Sequence, residues 1–227
     1  MRALAVCCAV AFSISIAPAV HAQGYVNLLQ DRSLSQWMKA DGSDIEKGWE
    51  FDGDGNLHLS RASGNIVTRD EYRDFELWFD YRISSSGNSG IKYRVQKFNN
   101  SWLGLEYQIQ DDAAFPKLPP KHYTASLYDI IDKSASILER KYAADGEFNT
   151  GRIVVQNSRL RHWMNGKLII DELDCSPRFE DAIQKSKFKN VEGFGKNACG
   201  RLMLTDHNSE VWYRNLYIRR LDCCTTR

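Results

Sequence analysis

From about residue 25 onward the chain is a series of short runs in which apolar and polar residues alternate, separated by Gly, Asn and Asp. A period of two is the signature of half-buried strands. In residues 74–83, Phe75, Leu77, Phe79, Tyr81 and Ile83 share one face, and Asp74, Glu76, Asp80 and Arg82 share the other, because successive strand side chains point to opposite sides. The same parity sets Ile91, Tyr93 and Val95 against Lys92 and Arg94, and Leu103, Leu105, Tyr107 and Ile109 against Glu106, Gln108 and Gln110. The apolar sets are predicted to face the core. Residues 152–156, 159–164 and 167–172 are joined by Asn157-Ser158 and Asn165-Gly166, which predicts a meander, since Asn-Gly is the strongest two-residue hairpin signal. Ser176-Pro177 ahead of Phe179, Ala182 and Ile183 predicts a helix with Pro at its first position, and Gly193 and Gly195 mark its exit. Residues 202–206 and 211–221 read as closing strands. About a dozen strands with one short helical insertion and no βαβ rhythm predict an all-β domain of two packed antiparallel sheets, a sandwich or jelly roll.

The N-terminus adds a compartment to this picture. Met1-Arg2, an apolar run over residues 3–17 and the small residues of Val20-His21-Ala22 form an export signal with cleavage expected after Ala22. The run is too short, and followed too soon by Pro18, for a membrane anchor, and no later segment could span a bilayer. The expected organisation is a signal at 1–22, one domain at 23–221 and a tail at 222–227, placing the protein in the periplasm or outside the cell. Cleavage removes Arg2 and no acid, leaving basic and acidic residues equal in number. Such a balance argues against a nucleic-acid partner. Lys185-Ser186-Lys187-Phe188-Lys189 and Arg219-Arg220 read as solvated faces. Of the four cysteines beyond the signal, Cys175 and Cys199 flank the helical insertion and are expected to pair, while Cys223 and Cys224 lie in the tail. Oligomeric state is not legible.

Chemistry concentrates in Gly104-Leu105-Glu106-Tyr107-Gln108-Ile109-Gln110-Asp111-Asp112. With the apolar side inward, Glu106, Gln108 and Gln110 line the opposite face, as a polar trough suited to a sugar or as an ordinary solvated sheet face. Arg94 has the matching parity on the preceding strand. Tyr128 and the dyad Asp206-His207 are further candidates; His207 can move a proton near neutrality or serve as a turn histidine held by backbone groups. Asp52-Gly53-Asp54-Gly55-Asn56 resembles a calcium loop, but Leu57 and Ser63 stand where that loop needs Gly and Glu. It is read as a hairpin turn.

Several of these segments together resemble the 3-keto-disaccharide hydrolase family: Gly87-Asn88-Ser89-Gly90-Ile91-Lys92-Tyr93-Arg94, the Leu105–Asp112 segment, Ala125-Ser126-Leu127-Tyr128, Phe148-Asn149-Thr150, His162-Trp163-Met164-Asn165-Gly166, Leu204-Thr205-Asp206-His207 and Trp212-Tyr213-Arg214-Asn215-Leu216-Tyr217-Ile218. The resemblance runs in order from about Tyr25 to Leu221. It implies a concanavalin A-like jelly roll, export, and action on glycosides whose C3 hydroxyl has been oxidised to a ketone. Thr205-Asp206-His207-Asn208 stands where that family usually carries Gln-x-His-Gly.

Ordinary glycosidases need two carboxyl groups about the scissile bond, and the positions following Glu106 on its face are amides. A 3-keto sugar relaxes that demand, because the ketone acidifies the C2 hydrogen and one base can start elimination of the C1 substituent, which water then completes. In this scheme Glu106 and His207 are the base and proton donor in either order, and Arg94, Gln108, Tyr128, Asp111 and Asp206 are expected to bind substrate. No cofactor is required; a divalent metal polarising the ketone would take Asp111 and Glu106 as oxygen ligands, though no spacing demands one. The rival readings are a non-catalytic, lectin-like carbohydrate-binding domain and a conventional secreted glucanase.

Overall fold

The computed structural model describes residues 24–131 and 146–221. The expected export signal, its cleavage point and the tail with Cys223 and Cys224 lie outside the described residues. Two antiparallel sheets pack face to face. The eight-stranded sheet runs in the order β11 (Lys167–Leu173), β10 (Arg159–Met164), β9 (Asn149–Gln156), β6 (Phe75–Ile83), β13 (Val211–Arg220), β4 (Leu57–Leu59) and β3 (Trp49–Phe51), with β1 (Val26–Asn27) paired to the far end of β13. The five-stranded sheet runs β2 (Trp37–Lys39), β5 (Ile66–Thr68), β12 (Arg201–Leu204), β7 (Asn88–Phe98) and β8 (Ser101–Gln110). The arrangement is the expected jelly-roll sandwich.

Local chemistry explains the turns. Asn157-Ser158 and Asn165-Gly166 all have positive φ, the conformation that two-residue hairpins need to match strand twist. Asp52 accepts hydrogen bonds from the amides of Asp54 and Asn56 at 3.0 and 2.9 Å, so the calcium-like segment is the turn joining β3 to β4. Helix α1 (Pro177–Gln184) begins as read, with the Ser176 hydroxyl accepting from the Phe179 amide at 3.0 Å. It ends before Gly193, at a C-cap on Lys185; residues beyond it form tight turns that bury Phe188 and Phe194 against each other, ring centroids 4.0 Å apart.

The core follows the alternation. Phe75, Phe79 and Tyr81 from one sheet meet Tyr93, Tyr107 and Ile109 from the other, all almost fully buried. The tip of the Phe79 ring sits against Gly151 on the neighbouring strand, where any Cβ would overlap it. The parity fails where strands are bulged, as in β13 between Arg214 and Tyr217 and, next to the expected site, in β7. A β-bulge interrupts the β7–β8 register after Tyr93, and Arg94 takes φ +51°. Val95 is thereby turned out of the main core into a small cluster with Val67 and Met203, since one extra residue in a strand exchanges the faces beyond it.

Cys175 and Cys199, expected to pair, are both free thiols. They occupy different settings: Cys175 is exposed just ahead of α1, and Cys199 sits 3.7 Å from Glu71 beside the bridge from Tyr72 to Gly200. Beyond the apolar contacts, the two sheets share a buried polar centre at His162 of β10. Its Nδ1 donates to the Ala125 carbonyl at 3.1 Å, which leaves Nε2 to accept from the Tyr93 hydroxyl at 3.0 Å.

Burial holds the His162 imidazole down to about 4, against an ordinary 6.5. Below 6.5 the unfolded chain binds a proton that the folded chain refuses, so stability is full above that pH and falls as pH drops toward 4. The difference is worth about 3 kcal/mol between about pH 7.5 and 4. Urea unfolding of wild type and H162Q across this range should show their stability difference shrinking by about that amount; an unchanged difference would remove His162 as the source.

Candidate active site

β8 is the last strand of its sheet, yet its edge is not left open. Residues 125–128 run along it, with the Ala125 amide donating to the Gln108 carbonyl at 2.8 Å and the Tyr128 amide donating to the Glu106 carbonyl at 3.0 Å. This cover places Tyr128 beside Glu106 and buries what alternation alone presents as an open polar face. Glu106, Gln108 and Gln110 are each under a tenth exposed.

Glu106 faces Lys92 directly across the strand pair, with Oε2 3.9 Å from Nζ. Its Oε1 is buried and has no hydrogen-bond partner among the described residues. The carboxylate has room there because position 90 is glycine; a Cβ on Gly90 would collide with Oε1. Gln108 donates through Nε2 to Asn88 Oδ1 at 3.1 Å and Gln110 Oε1 at 3.3 Å, a chain of amides that stiffens the floor.

His207 arrives from the loop after β12. The Thr205 amide and hydroxyl both donate to the Gly90 carbonyl, at 3.0 and 3.2 Å. Asp206 Oδ2 accepts from the amides of Ser63 and Gly64 at 2.6 and 2.7 Å, and Oδ1 from that of Asn208 at 2.8 Å. Burial alone would raise this carboxyl; the three amides hold it below the usual carboxylate range. Asp206 therefore acts as the clamp of the loop. Asn208 sits at φ +62°, a conformation Asn tolerates better than most side chains, so it can stand where the resembled family usually carries Gly.

Burial lowers the His207 pKa, Glu106 and Asp206 oppose that shift, and Lys92 and Lys187 reinforce it. The resting imidazole is neutral and able to accept a proton. Lys187, read from sequence as part of a solvated run, is exposed as expected, but it has neighbours that the run did not show. Its amide donates to Asp129 Oδ2 at 2.6 Å, and its Nζ lies 4.2 Å from the centre of the Tyr128 ring. Burial draws its ammonium below the ordinary lysine value, with Glu106 opposing and Lys92 adding to the effect. Asp129 in turn accepts from Lys121 at 2.7 Å and His122 at 2.8 Å, tying both segments to the trough wall.

The remaining expected residues lie elsewhere. Arg94, thrown out of parity by the bulge, forms a buried ion pair with Asp174 beyond β11. Asp111 accepts from the Ser86 amide at 2.8 Å and lines a separate cavity of about 780 Å³ with Tyr81, Arg82 and Gln110. Asp112 accepts from the Thr124 amide at 3.0 and 3.1 Å. No cluster of three or more His, Cys, Asp or Glu side chains suited to a metal occurs among the described residues, and no helix there is long and apolar enough to cross a membrane. The structure thus brings together Glu106, His207, Tyr128 and Gln108, and adds Lys92 and Lys187, which sequence reasoning missed. The parity of Lys92 with Glu106 was a signal available for the first.

Known proteins supply an independent comparison. A Bacteroides thetaiotaomicron protein named a 3-keto-disaccharide hydrolase is 26% identical over 237 aligned residues, spanning 89% of this chain and 80% of the relative. Two Parabacteroides distasonis structures, each provisionally named a glycosyl hydrolase, share the fold. One aligns at a TM-score of 0.78 and 24% identity over 92% of this chain and 99% of its own; the other at 0.71 and 21% over 88% and 100%. Residues 24–219 match the family described as the 3-keto-alpha-glucoside-1,2-lyase-like domain, and the chain belongs to that family.

Proposed function

We propose that the trough binds a glycoside carrying a ketone at C3 and breaks its C1–oxygen bond by elimination across C1 and C2, followed by hydration. One observation carries this reading: an accessible imidazole held below its ordinary pKa and a buried, half-unpartnered carboxylate share the trough, while the nearby Asp111, Asp112 and Asp206 are committed to backbone amides. That is a poor arrangement for the two free carboxyl groups of a conventional glycosidase, and a sufficient one for chemistry started by a single base. The names of the family and of the Bacteroides relative point the same way.

In this mechanism His207 takes the C2 proton. Glu106 and Asp206 stabilise the resulting imidazolium, which returns the proton to the departing C1 oxygen. Glu106 lies behind the sugar ring as buried counter-charge, with Tyr128 at the ring's edge. Water adding across C1 and C2 completes net hydrolysis.

Matched glucosides with and without the 3-keto group test the proposal. Wild type should turn over only the keto form, and H207A and E106Q should each lose about 10²- to 10⁴-fold in kcat/KM with thermal unfolding nearly unchanged. Near-wild-type turnover by both variants would falsify the assignment. If wild type instead binds keto and ordinary glucosides alike and turns over neither, the site is that of a lectin.

The sign of the His207 shift sets the pH profile. A base lowered by burial and two lysines stays neutral below 6.5, so the acid limb of kcat/KM should fall below that value. K92Q removes one of the lowering charges and should move the limb upward; movement downward contradicts the assignment.

The proposal extends to compartment. Residues 1–22 act as an export signal, and mass spectrometry of protein recovered from its host should find Gln23 at the mature N-terminus. A full-length chain in the cytoplasm would remove export from the proposal.

A further inference from the structure

When C2 loses its proton, negative charge collects on the ketone oxygen, and the protein must meet it with a fixed positive group. Resting on the elimination chemistry proposed above, we infer that Lys187, carried into the trough by the segment after α1, binds the C3 oxygen and stabilises the enolate.

The neighbouring cations are occupied. Lys92 is held 3.9 Å from Glu106, and Lys121 is 2.7 Å from Asp129. Lys187 Nζ has only ring contacts, 4.2 Å from the centre of Tyr128 and 5.1 Å from that of Phe188, and no ion pair among the described residues. Its N–H donors are thus unspent, with the Tyr128 and Phe188 rings on one side and the other side open to a ligand.

The side chain is exposed, but the chain that carries it is held in place. The backbone is fixed by the bond from the Lys187 amide to Asp129, while the Phe188 amide donates to the Ser186 hydroxyl at 3.0 Å and that hydroxyl to the Ile183 carbonyl at 2.7 Å. Phe188 is anchored on Phe194. A cation on so rigid a mount is preorganised, which is the condition for stabilising a transition state at little reorganisation cost.

The step balances as follows. The C2–H electron pair becomes the C2–C3 double bond, the proton goes to His207, and the carbonyl pair moves onto O3 against the Lys187 ammonium. Collapse of the enolate restores the ketone, forms the C1–C2 double bond and expels the C1 oxygen, which takes the proton from His207. Water then adds across C1 and C2.

A 3-keto 1,5-anhydro sugar, which has no leaving group at C1, isolates the enolate step. In D₂O, NMR should show wild type exchanging the C2 hydrogen of this probe. K187M and K187Q should exchange about 10²- to 10³-fold more slowly and lose kcat on a 3-keto-glucoside in proportion, with KM nearly constant. K187R, which keeps the charge, should recover part of the rate, and the melting temperatures of all three should match wild type, because Asp129 is held by the backbone amide. Exchange by folded K187M or K187Q at the wild-type rate overturns the role of Lys187 while leaving elimination standing. A wild type that neither exchanges C2 nor turns over keto-glucosides removes the elimination chemistry, and this assignment with it.

Discussion

Everything in the trough is organised around the charge of Glu106. A carboxylate nearly removed from water costs several kcal/mol unless opposite charge and hydrogen bonds replace its hydration. Here the replacement is incomplete by design of the surroundings: Lys92 stands at 3.9 Å from one oxygen, and the other has no partner among the described residues. A sheet position can hold such a group only where its neighbours leave room, and Gly90 does so on the adjacent strand. The edge cover by residues 125–128 then limits the escape of the carboxylate into solvent.

The strand architecture was legible because alternation is enforced by burial on one face and by turn chemistry at the ends. Positions such as Phe75, Leu77, Phe79 and Tyr81 had no alternative register that kept them dry, and Asn165-Gly166 could take the positive φ values of its turn. Arg94 and Val95 show where that logic stops. A bulge adds a residue without announcing itself in composition, and every parity inference beyond it is reversed. Arg94 then meets Asp174 across the sandwich end instead of a sugar.

The site was legible in part for the same reason. Glu106 and Gln108 follow from parity on a strand, and Tyr128 and His207 were candidates from their motifs, but what a loop carboxylate does is decided by which amides fold back onto it. Asp111 and Asp206 carry the residue type expected of a sugar ligand, yet their oxygens are taken by Ser86, and by Ser63, Gly64 and Asn208. Lys187 is exposed as its run implies, yet its surroundings were not legible. Three lysines in five residues ordinarily mean a solvated face, and only tertiary contacts with Asp129 and Tyr128 distinguish the middle one. The expected Cys175–Cys199 bridge was likewise inferred from position in the sequence, and the insertion is held instead by the stacked phenylalanines and the Ser176 cap.

What alternation left illegible and the chemistry share a physical basis. The sheet supplies a rigid floor, Glu106 with Lys92 and Gln108, which by itself could do no more than hold a hydroxylated ring. The groups that make it more than a binding surface under the proposed mechanism, His207 and Lys187, come from separate loops, each locked by an aspartate: Asp206 for one and Asp129 for the other. Asp206 spends its charge on three backbone amides, and Asp129 divides its own between the Lys187 amide and the side chains of Lys121 and His122, so each fixes geometry without pairing directly with the group it delivers. Two loops clamped independently can diverge in sequence while keeping their placement, as Asn208 does in a left-handed position where the resembled family usually has Gly. A jelly roll can therefore pass between binding and bond-breaking by changing what two loops present, while the strands beneath remain as packing requires.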